Sequence, residues 1–248
     1  VYAGQSMDPS IYFANPEEAV NYEVGFKKTF SNGYLNMSFF HMAVEGYQSN
    51  LFIGTGFNLV NIGEQTNKGI EIDSLFFLNE NFVVTFAASY IDSTYNDFKN
   101  GPCDRTFVPP VSDDCPIING GPARVKDFTG RTPSGVPELA ITVSGTYTFD
   151  LNETMTGYIR GEYVYEDAYQ ATDAVPIEVP NALREVGTLN ASLGVKDSAS
   201  GFSLMLWGRN INDDEYIYTG FNVPGSPGSY AGYPVVPKMW GLTLSREF

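Results

Sequence analysis

Five of the chain's fourteen lysines and arginines lie in one segment, residues 96–136. Positive side chains gathered on a loop can attract and hold an anionic small molecule, because opposite charge concentrates the ligand and fixed polar groups orient it. The same segment contains five aspartates, so salt bridges within the loop are an alternative use of this charge. The five cations are Lys99, Arg105, Arg124, Lys126 and Arg131.

Two cysteines, Cys103 and Cys115, lie in the same segment among proline and aspartate residues. Such a pair predicts a local disulfide that forms outside the cytoplasm. Closing so small a loop would contribute about 3 kcal/mol to stability in the chain-entropy description. A zinc site is the alternative, and it is disfavoured because no histidine lies near the two thiols.

Aromatic side chains gather in the last long loop and could stack on a sugar or a catecholate. Anchoring at an interface or packing within the loop is the alternative for these rings. They are Tyr216, Tyr218, Phe221, Tyr230 and Tyr233.

The sequence contains no convincing set of residues for catalysis or metal binding. His41 is the only histidine and follows two phenylalanines in the middle of an apolar run, which favours a structural or lumen role over a Ser-His-Asp triad. The acidic runs Asp113-Asp114 and Asp213-Asp214-Glu215 lack the spacing of a calcium loop. A net charge of -15 argues against nucleic acid as a partner. We therefore expect neither an enzyme nor a bound cofactor or metal.

Alternation of apolar and polar residues predicts about nine strands, which must position these loops. The connections between the strands are short and long by turns along the chain. A sheet with tight turns at one end and large loops at the other is what a transmembrane β-barrel presents to the periplasm and the exterior. The short turns are 31–32, 79–81, 150–153 and 197–201, and the long loops are roughly 48–66, 96–136, 169–185 and 212–235.

Each clear strand has an apolar face and a hydroxyl-rich face. In residues 138–149, Leu139 and Ile141 share one side while Thr142 and Ser144 share the other. Strands of roughly 10–14 residues exceed the usual globular length and match a tilted bilayer crossing. We therefore predict an all-β protein, an antiparallel transmembrane β-barrel with long exterior loops and short periplasmic turns. A long-stranded soluble β-sandwich is the alternative.

Aromatic residues are predicted to form two bands at the two membrane interfaces. The band at the short-turn end comprises Phe30, Phe82, Phe149, Phe202 and Phe248, and the band at the long-loop end comprises Tyr47, Tyr90, Tyr95, Tyr163, Tyr165, Tyr216, Tyr218 and Trp240. The faces of two strands stay unassigned. Residues 33–47 are apolar on both sides, and in residues 202–211 both Leu206 and Trp207 are large.

Four sequence elements resemble those of TonB-dependent outer-membrane receptors. Residues 15–30 (NPEEAVNYEVGFKKTF) are similar to the family's Pro-Glu element and the strand that follows it, and residues 69–72 resemble its Gly-Ile-Glu strand. Residues 210–216 (NINDDEY) look like the Asn-Leu-Phe-Asp-x-x-Tyr element, with Ile211 and Asn212 in place of Leu-Phe. The tail, residues 237–248, resembles the closing strand with its terminal aromatic residue.

The resemblance implies the C-terminal part of a 22-stranded barrel in the outer membrane of a Gram-negative bacterium. Residues 1–248 would supply about the last nine strands, without the plug and the earlier strands. If Phe248 ends in the periplasm, an odd number of strands places the first residues in an exterior loop. The barrel assembly signal in the closing strand would be Trp240, Leu242, Leu244 and Phe248.

The function that the resemblance implies is TonB-energised uptake of a scarce ligand, with a ferric siderophore as the first expectation. Such complexes are frequently anionic, and the expected contacts are Arg105, Arg124, Lys126, Arg131, Tyr216, Tyr218 and Tyr230. The expected partners are the TonB complex through the missing plug, outer-membrane lipid and lipopolysaccharide, the barrel assembly machinery and the small-molecule ligand. A non-transporting surface β-protein whose loops bind glycans or partners is the alternative.

Overall fold

The computed structural model describes residues 14–53, 56–99, 101–102, 125–173, 175, 179, 182–223, 226 and 229–247. These residues form an all-β structure. Its strands are β1 Glu18–Phe30, β2 Gly33–Glu45, β3 Gln48–Ile53, β4 Gly56–Asn61, β5 Glu64–Asn79, β6 Phe82–Asp97, β7 Gly101–Pro102, β8 Val125–Lys126, β9 Leu139–Asp150, β10 Met155–Gln170, β11 Leu183–Asp197, β12 Phe202–Arg209, β13 Ile217–Asn222, β14 Tyr230–Pro234 and β15 Met239–Arg246. No helix within these ranges has the length and hydropathy needed to span a membrane.

Nine strands form one antiparallel sheet in the order β1-β2-β5-β6-β9-β10-β11-β12-β15. Each strand pairs with the next long strand of the chain, so the sheet is a meander with β1 and β15 at its two edges. The β1–β2 pairing runs without a shift from Glu18 opposite Glu45 to Phe30 opposite Gly33. Uninterrupted ladders of this length satisfy the backbone within the sheet, as a membrane-spanning wall requires.

The two ends of the sheet differ as the sequence predicts. The short-turn end has the connections 31–32, 80–81, 151–154 and 198–201, and the long-loop end has 46–63, 98–138, 171–182 and 210–238. Three long connections carry small hairpins, β3–β4, β7–β8 and β13–β14, that the alternation pattern does not predict. Function is therefore to be sought at the long-loop end.

The apolar face of the sheet carries a continuous cross-strand row of large side chains. Directly paired residues form this row: Phe82, Tyr147, Ile159, Leu193, Leu206 and Leu242. The last five of these are between 46% and 67% exposed. Within the described ranges no second sheet packs against this face, because the remaining strands belong to the three two-stranded hairpins. The sandwich interpretation is therefore wrong.

The polar face is organised by hydrogen bonds between neighbouring strands. The amide of Asn36 donates to Asp73 at 3.0 Å. The guanidinium of Arg160 donates to Glu162 at 2.8 Å and to Thr146 at 3.3 Å. Mixed charges that pair with one another suit a wet or protein-filled interior.

Strand pairing assigns the two faces of β2, and a glycine on the neighbouring strand explains why its polar face carries a large ring. Phe39 lies on the apolar face and is 48% exposed, whereas Phe40 lies on the polar face. The Phe40 ring covers Gly69 of β5, where an added Cβ would come within 2.9 Å of a ring atom. A glycine therefore makes room for an aromatic ring on the polar face.

The last two strands of the sheet exchange tryptophan and glycine across their pairing. Trp207 is opposite Gly241 on the polar face, and Gly208 is opposite Trp240 on the apolar face. Each ring lies over the glycine that it faces. The Trp207 indole N–H donates to the hydroxyl of Thr243 at 3.1 Å. The polar face can therefore hold the large Trp207 ring because Gly241 leaves space for it. Leu206 belongs to the apolar face.

Candidate functional site

A small hydrophobic core lies at the long-loop end of the sheet. We call it the loop-base cluster; it consists of Ile62, Tyr95, Phe98 and Phe128, with Tyr47 packed against it. The Phe98 ring meets Tyr95 at 4.9 Å and Phe128 at 5.2 Å, both edge to face. The prediction that Tyr47 and Tyr95 belong to the interfacial band is wrong, because both rings pack into this cluster.

The segment at residues 125–131, which we call the pinned segment, is held against the end of β6. The Phe128 N–H donates to the Phe98 carbonyl at 2.7 Å, and the Tyr95 N–H donates to the Arg131 carbonyl at 3.0 Å. The Arg131 guanidinium lies over the Phe128 ring, 4.7 Å from its centroid. This arrangement fixes the Arg131 side chain and the backbone of the segment, because a cation–π contact and backbone hydrogen bonds act on the same few residues.

A cavity of about 680 Å³ lies between the pinned segment, the end of β6 and the end of β10. We call it the charged pocket. Its volume falls within the range of small-molecule sites. The acidic and basic side chains of its described lining are Asp92, Lys126, Arg131, Glu138, Asp167 and Asp173. Lys126 and Arg131 therefore line the same cavity, together with twice as many carboxylates; their contact with a ligand stays a prediction.

Two aspartates of the charged pocket are poorly solvated. Burial raises the pKa of Asp173, and this outweighs the opposing effects of a hydrogen bond with Ser134 and of the nearby Arg131. One carboxylate oxygen of Asp167 is buried without a hydrogen-bond partner. A buried acceptor of this kind is costly unless a donor reaches it.

Arg184 forms a site that the sequence interpretation missed. Its guanidinium pairs with Glu166 at 3.1 Å and lies 5.5, 5.1 and 5.0 Å from the ring centroids of Tyr169, Tyr216 and Tyr218. Tyr216 and Tyr218, predicted as ligand contacts, thus hold the start of β13 onto this cation. The irregular pairing between Glu166 and Tyr169 hides the arrangement from a pattern of strict alternation.

Tyr230 lines a second, smaller cavity of about 290 Å³. This cavity lies between the 171–182 connection and the β13–β14 hairpin, and most of its lining is aliphatic. We call it the apolar pocket. Tyr230 therefore lies at a different pocket from Lys126 and Arg131.

The acidic run after β12 has a structural use. Asn210 adopts a positive φ of 49° and is 4% exposed, and its side chain accepts from the Asp214 N–H at 2.7 Å. The Asp214 carboxylate accepts from the Gly187 N–H at 2.7 Å, and Asp213 pairs with Lys238 at 3.3 Å. Asparagine tolerates the left-handed conformation better than most residues. Across the described part of the chain, no group of three or more His, Cys, Asp or Glu side chains could hold a metal ion.

Several predicted residues lie outside the described ranges: Arg105, Arg124, Cys103, Cys115, Asp113, Asp114 and Phe248. Lys99 is described; it pairs with Asp97 at 3.1 Å and does not line the charged pocket. Trp240, Leu242 and Leu244 lie exposed on the apolar face of the last strand. His41 is exposed on the same face, opposite Tyr22 and Lys68.

Residues 2–211 match a family model described as TonB dependent receptor-like, beta-barrel. A comparison with curated protein sequences finds no match. Among solved structures, the chain is similar to the ferric yersiniabactin uptake receptor FyuA from Yersinia pestis, with 15% identity and a TM-score of 0.67. That alignment covers 94% of this chain and 30% of the receptor.

Two further receptors align comparably. The siderophore receptor PiuA from Acinetobacter baumannii has 17% identity and a TM-score of 0.60, over 92% of this chain and 28% of that one. The ferric-catecholate import receptor Fiu from E. coli K12 has 18% identity and a TM-score of 0.59, over 94% and 28%.

At such identities the structural likeness shows the fold alone, and the chain spans about 30% of the length of FyuA. The matching family and these neighbours are receptors, not enzymes. Because the family model covers most of the sequence and the nine-stranded sheet has the corresponding fold, the chain belongs to the TonB-dependent receptor family and forms part of its transmembrane β-barrel.

Proposed function

We propose that this chain is part of an outer-membrane receptor that takes up a scarce small molecule with energy supplied through TonB, and that the cargo is a ferric siderophore. The observation that carries the proposal is the charged pocket at the long-loop end, together with membership of the family. The long-loop end faces the cell exterior, where a ligand first arrives. The solved structures that resemble this chain include receptors named for ferric yersiniabactin and ferric catecholates.

The charged pocket supports ligand capture because its walls are fixed. The pinned segment is held to β6 through the loop-base cluster, so its backbone and the Arg131 side chain need little ordering when a ligand binds. Preorganised groups of this kind reduce the cost of association. Lys126 and Arg131 bind the acidic groups of a chelate.

The other proposed partners of the barrel contact its closing strand, its apolar face and its plug. Residues 1–248 correspond to the C-terminal part of the barrel, whose closing strand carries the assembly signal at Trp240, Leu242, Leu244 and Phe248 for the barrel assembly machinery. The exposed apolar face contacts outer-membrane lipid and, near the long-loop end, lipopolysaccharide. TonB acts through a plug domain supplied by the rest of the receptor.

The test is uptake of radioactive ferric siderophores by iron-starved cells that carry or lack the full-length receptor. A panel of hydroxamate, catecholate and carboxylate chelates covers the usual chemistries. We expect energy-dependent uptake of at least one chelate, and removal of both pocket cations in a Lys126→Ala, Arg131→Ala variant should weaken its binding about tenfold or more, because charge-assisted hydrogen bonds are lost.

The matched control is Lys99→Ala, which removes a cation from the same connection outside the pocket. This variant should take up the chelate like the wild type. If cells that carry and cells that lack the receptor take up every chelate equally, the proposal is refuted. Binding without energy-dependent uptake would instead favour the surface-protein alternative.

A further inference from the structure

The apolar pocket is a second cavity whose walls carry little polarity. One wall comes from the connection between β10 and β11, with Val175, Val179 and Ala182. The opposite wall comes from the β13–β14 hairpin, with Ile217 and Ala231. Among the described lining residues, Thr172 and Tyr230 are the two with side-chain hydroxyls. An aliphatic lining of this kind binds an apolar group by removing its surface from water.

Two paired glycines of the hairpin line the apolar pocket. Gly220 of β13 lies opposite Gly232 of β14. A Cβ added at Gly220 would lie 3.1 Å from Cγ2 of Val175 on the opposite wall. A side chain at position 220 would therefore reach into the space between the hairpin and the connection.

The apolar pocket and the charged pocket share a single ridge of chain. Gln170 and Asp173 line the charged pocket, whereas Ala171 and Thr172 between them line the apolar pocket. The Gln170 amide donates to the Val175 carbonyl at 2.8 Å and braces the ridge. One ligand can therefore place different parts on the two sides of the ridge.

The two pockets are chemically opposite, and the smaller one lies at the lower limit of small-molecule sites. Its volume suits part of a ligand rather than a whole one. Its walls are mainly aliphatic and offer one aromatic ring, that of Tyr230, so an aliphatic chain fits better than a ring system that would favour aromatic partners.

We propose that the cargo is amphiphilic, with its polar chelating part in the charged pocket and an acyl chain in the apolar pocket. This inference rests on the proposed function and specifies the substrate class. It makes Gly220 of the hairpin and Ala171 of the connection, which both line the apolar pocket, specificity-determining positions.

The test uses six gallium chelates and the purified full-length receptor. Hydroxamate, catecholate and carboxylate chelates are each prepared with and without one octanoyl chain, and Kd is measured by calorimetry. For the chelate type that binds, the acyl chain should tighten Kd about tenfold or more in the wild type. Gly220→Val, whose Cβ points toward Val175, and Ala171→Leu fill the pocket from the hairpin and from the connection, and each should bring the ratio of the two Kd values close to one.

The matched control is Ala199→Leu in an exposed turn at the short-turn end, which should keep the full ratio. Gly220→Ala adds a smaller side chain, should lower the ratio partly, and serves if the two larger variants do not fold. Equal affinity for the two forms in the wild type, or an undiminished ratio in the filled variants, would overturn this inference and leave the proposed function standing. Binding of none of the six chelates would overturn both.

Discussion

The middle of the sheet and its long-loop end use large apolar side chains in opposite ways. In the middle, the side chains of Leu193 and Leu242 are 48% and 67% exposed, and no other element of the described chain packs over them. At the long-loop end, Phe98 is 1% exposed within the loop-base cluster. The first region is built for a hydrocarbon solvent, and the second makes its own apolar environment in water.

This difference separates what holds the wall from what holds the site. Strand pairing and lipid stabilise the middle, since every strand there is part of a continuous ladder. Side-chain packing and a few backbone hydrogen bonds stabilise the loops, as between Phe128 and Phe98. Substitutions should therefore act by different mechanisms in the two regions.

The largest effect should come from Phe98→Ala. Removing a fully buried ring leaves a cavity and typically costs about 3–5 kcal/mol. Phe39→Ala, at a ring that is 48% exposed on the apolar face, should cost much less. Urea unfolding of the full-length receptor in lipid vesicles measures both, and equal losses would erase the contrast between the regions.

A somewhat smaller effect is expected from Leu193→Arg. An arginine on the lipid face of a membrane barrel costs about 2–4 kcal/mol near the midplane, because hydrocarbon cannot solvate it. Ser192→Arg, on the polar face of the same strand, is the matched control and should be tolerated. Folding yields and urea midpoints in vesicles report the two costs, and a greater loss at Ser192 would reverse the assignment of faces.

Gly208→Val tests how glycine accommodates aromatic rings on the apolar face. A Cβ there would lie 2.5 Å from Cγ2 of Ile211 and 2.6 Å from the Trp240 ring, so both side chains must move, at a cost of about 1–3 kcal/mol. Gly161 of β10 also lies on the apolar face, and it has open space around its Cβ position. Gly161→Val should therefore unfold at nearly the wild-type urea concentration, and parity between the variants would argue against the Trp–Gly packing.

The smallest effect is expected from Asp173→Asn, and its sign depends on pH. Because the folded state raises the pKa of this carboxyl, its ionisation lowers stability as the pH rises through the folded pKa. The variant should be more stable than the wild type at pH 7, and the gain should vanish below the ordinary value of 3.8. Urea midpoints at several pH values measure the difference, and a gain that grew on acidification would contradict the burial of Asp173.

Alternation along single strands was enough to predict the wall, because the faces of residues such as Leu193 and Ser192 depend only on a period of two. It could not assign Phe40 or Trp207, since the space for those rings comes from Gly69 and Gly241 on neighbouring strands. Cross-strand register carries that information, and it does not appear within one strand.

The site was less predictable than the wall for a similar reason. The concentration of cations in residues 96–136 drew attention to Lys126 and Arg131, which line one pocket, although their contact with a ligand stays a prediction. Asp167 and Asp173 reach that pocket from the end of β10 and the connection after it, far away in sequence. The prediction of a disulfide between Cys103 and Cys115 concerns residues outside the described ranges and stays a prediction.

Spin labels on two adjacent residues of β11 test most directly whether the apolar face meets lipid. Nitroxides at Leu193→Cys and Ser192→Cys in the vesicle-reconstituted full-length receptor are challenged with oxygen, which concentrates in hydrocarbon, and with a water-soluble nickel complex. We predict strong relaxation by oxygen and little by nickel at position 193, and relatively more relaxation by nickel at position 192. Shielding of the label at position 193 from oxygen would mean that protein, not hydrocarbon, covers this face.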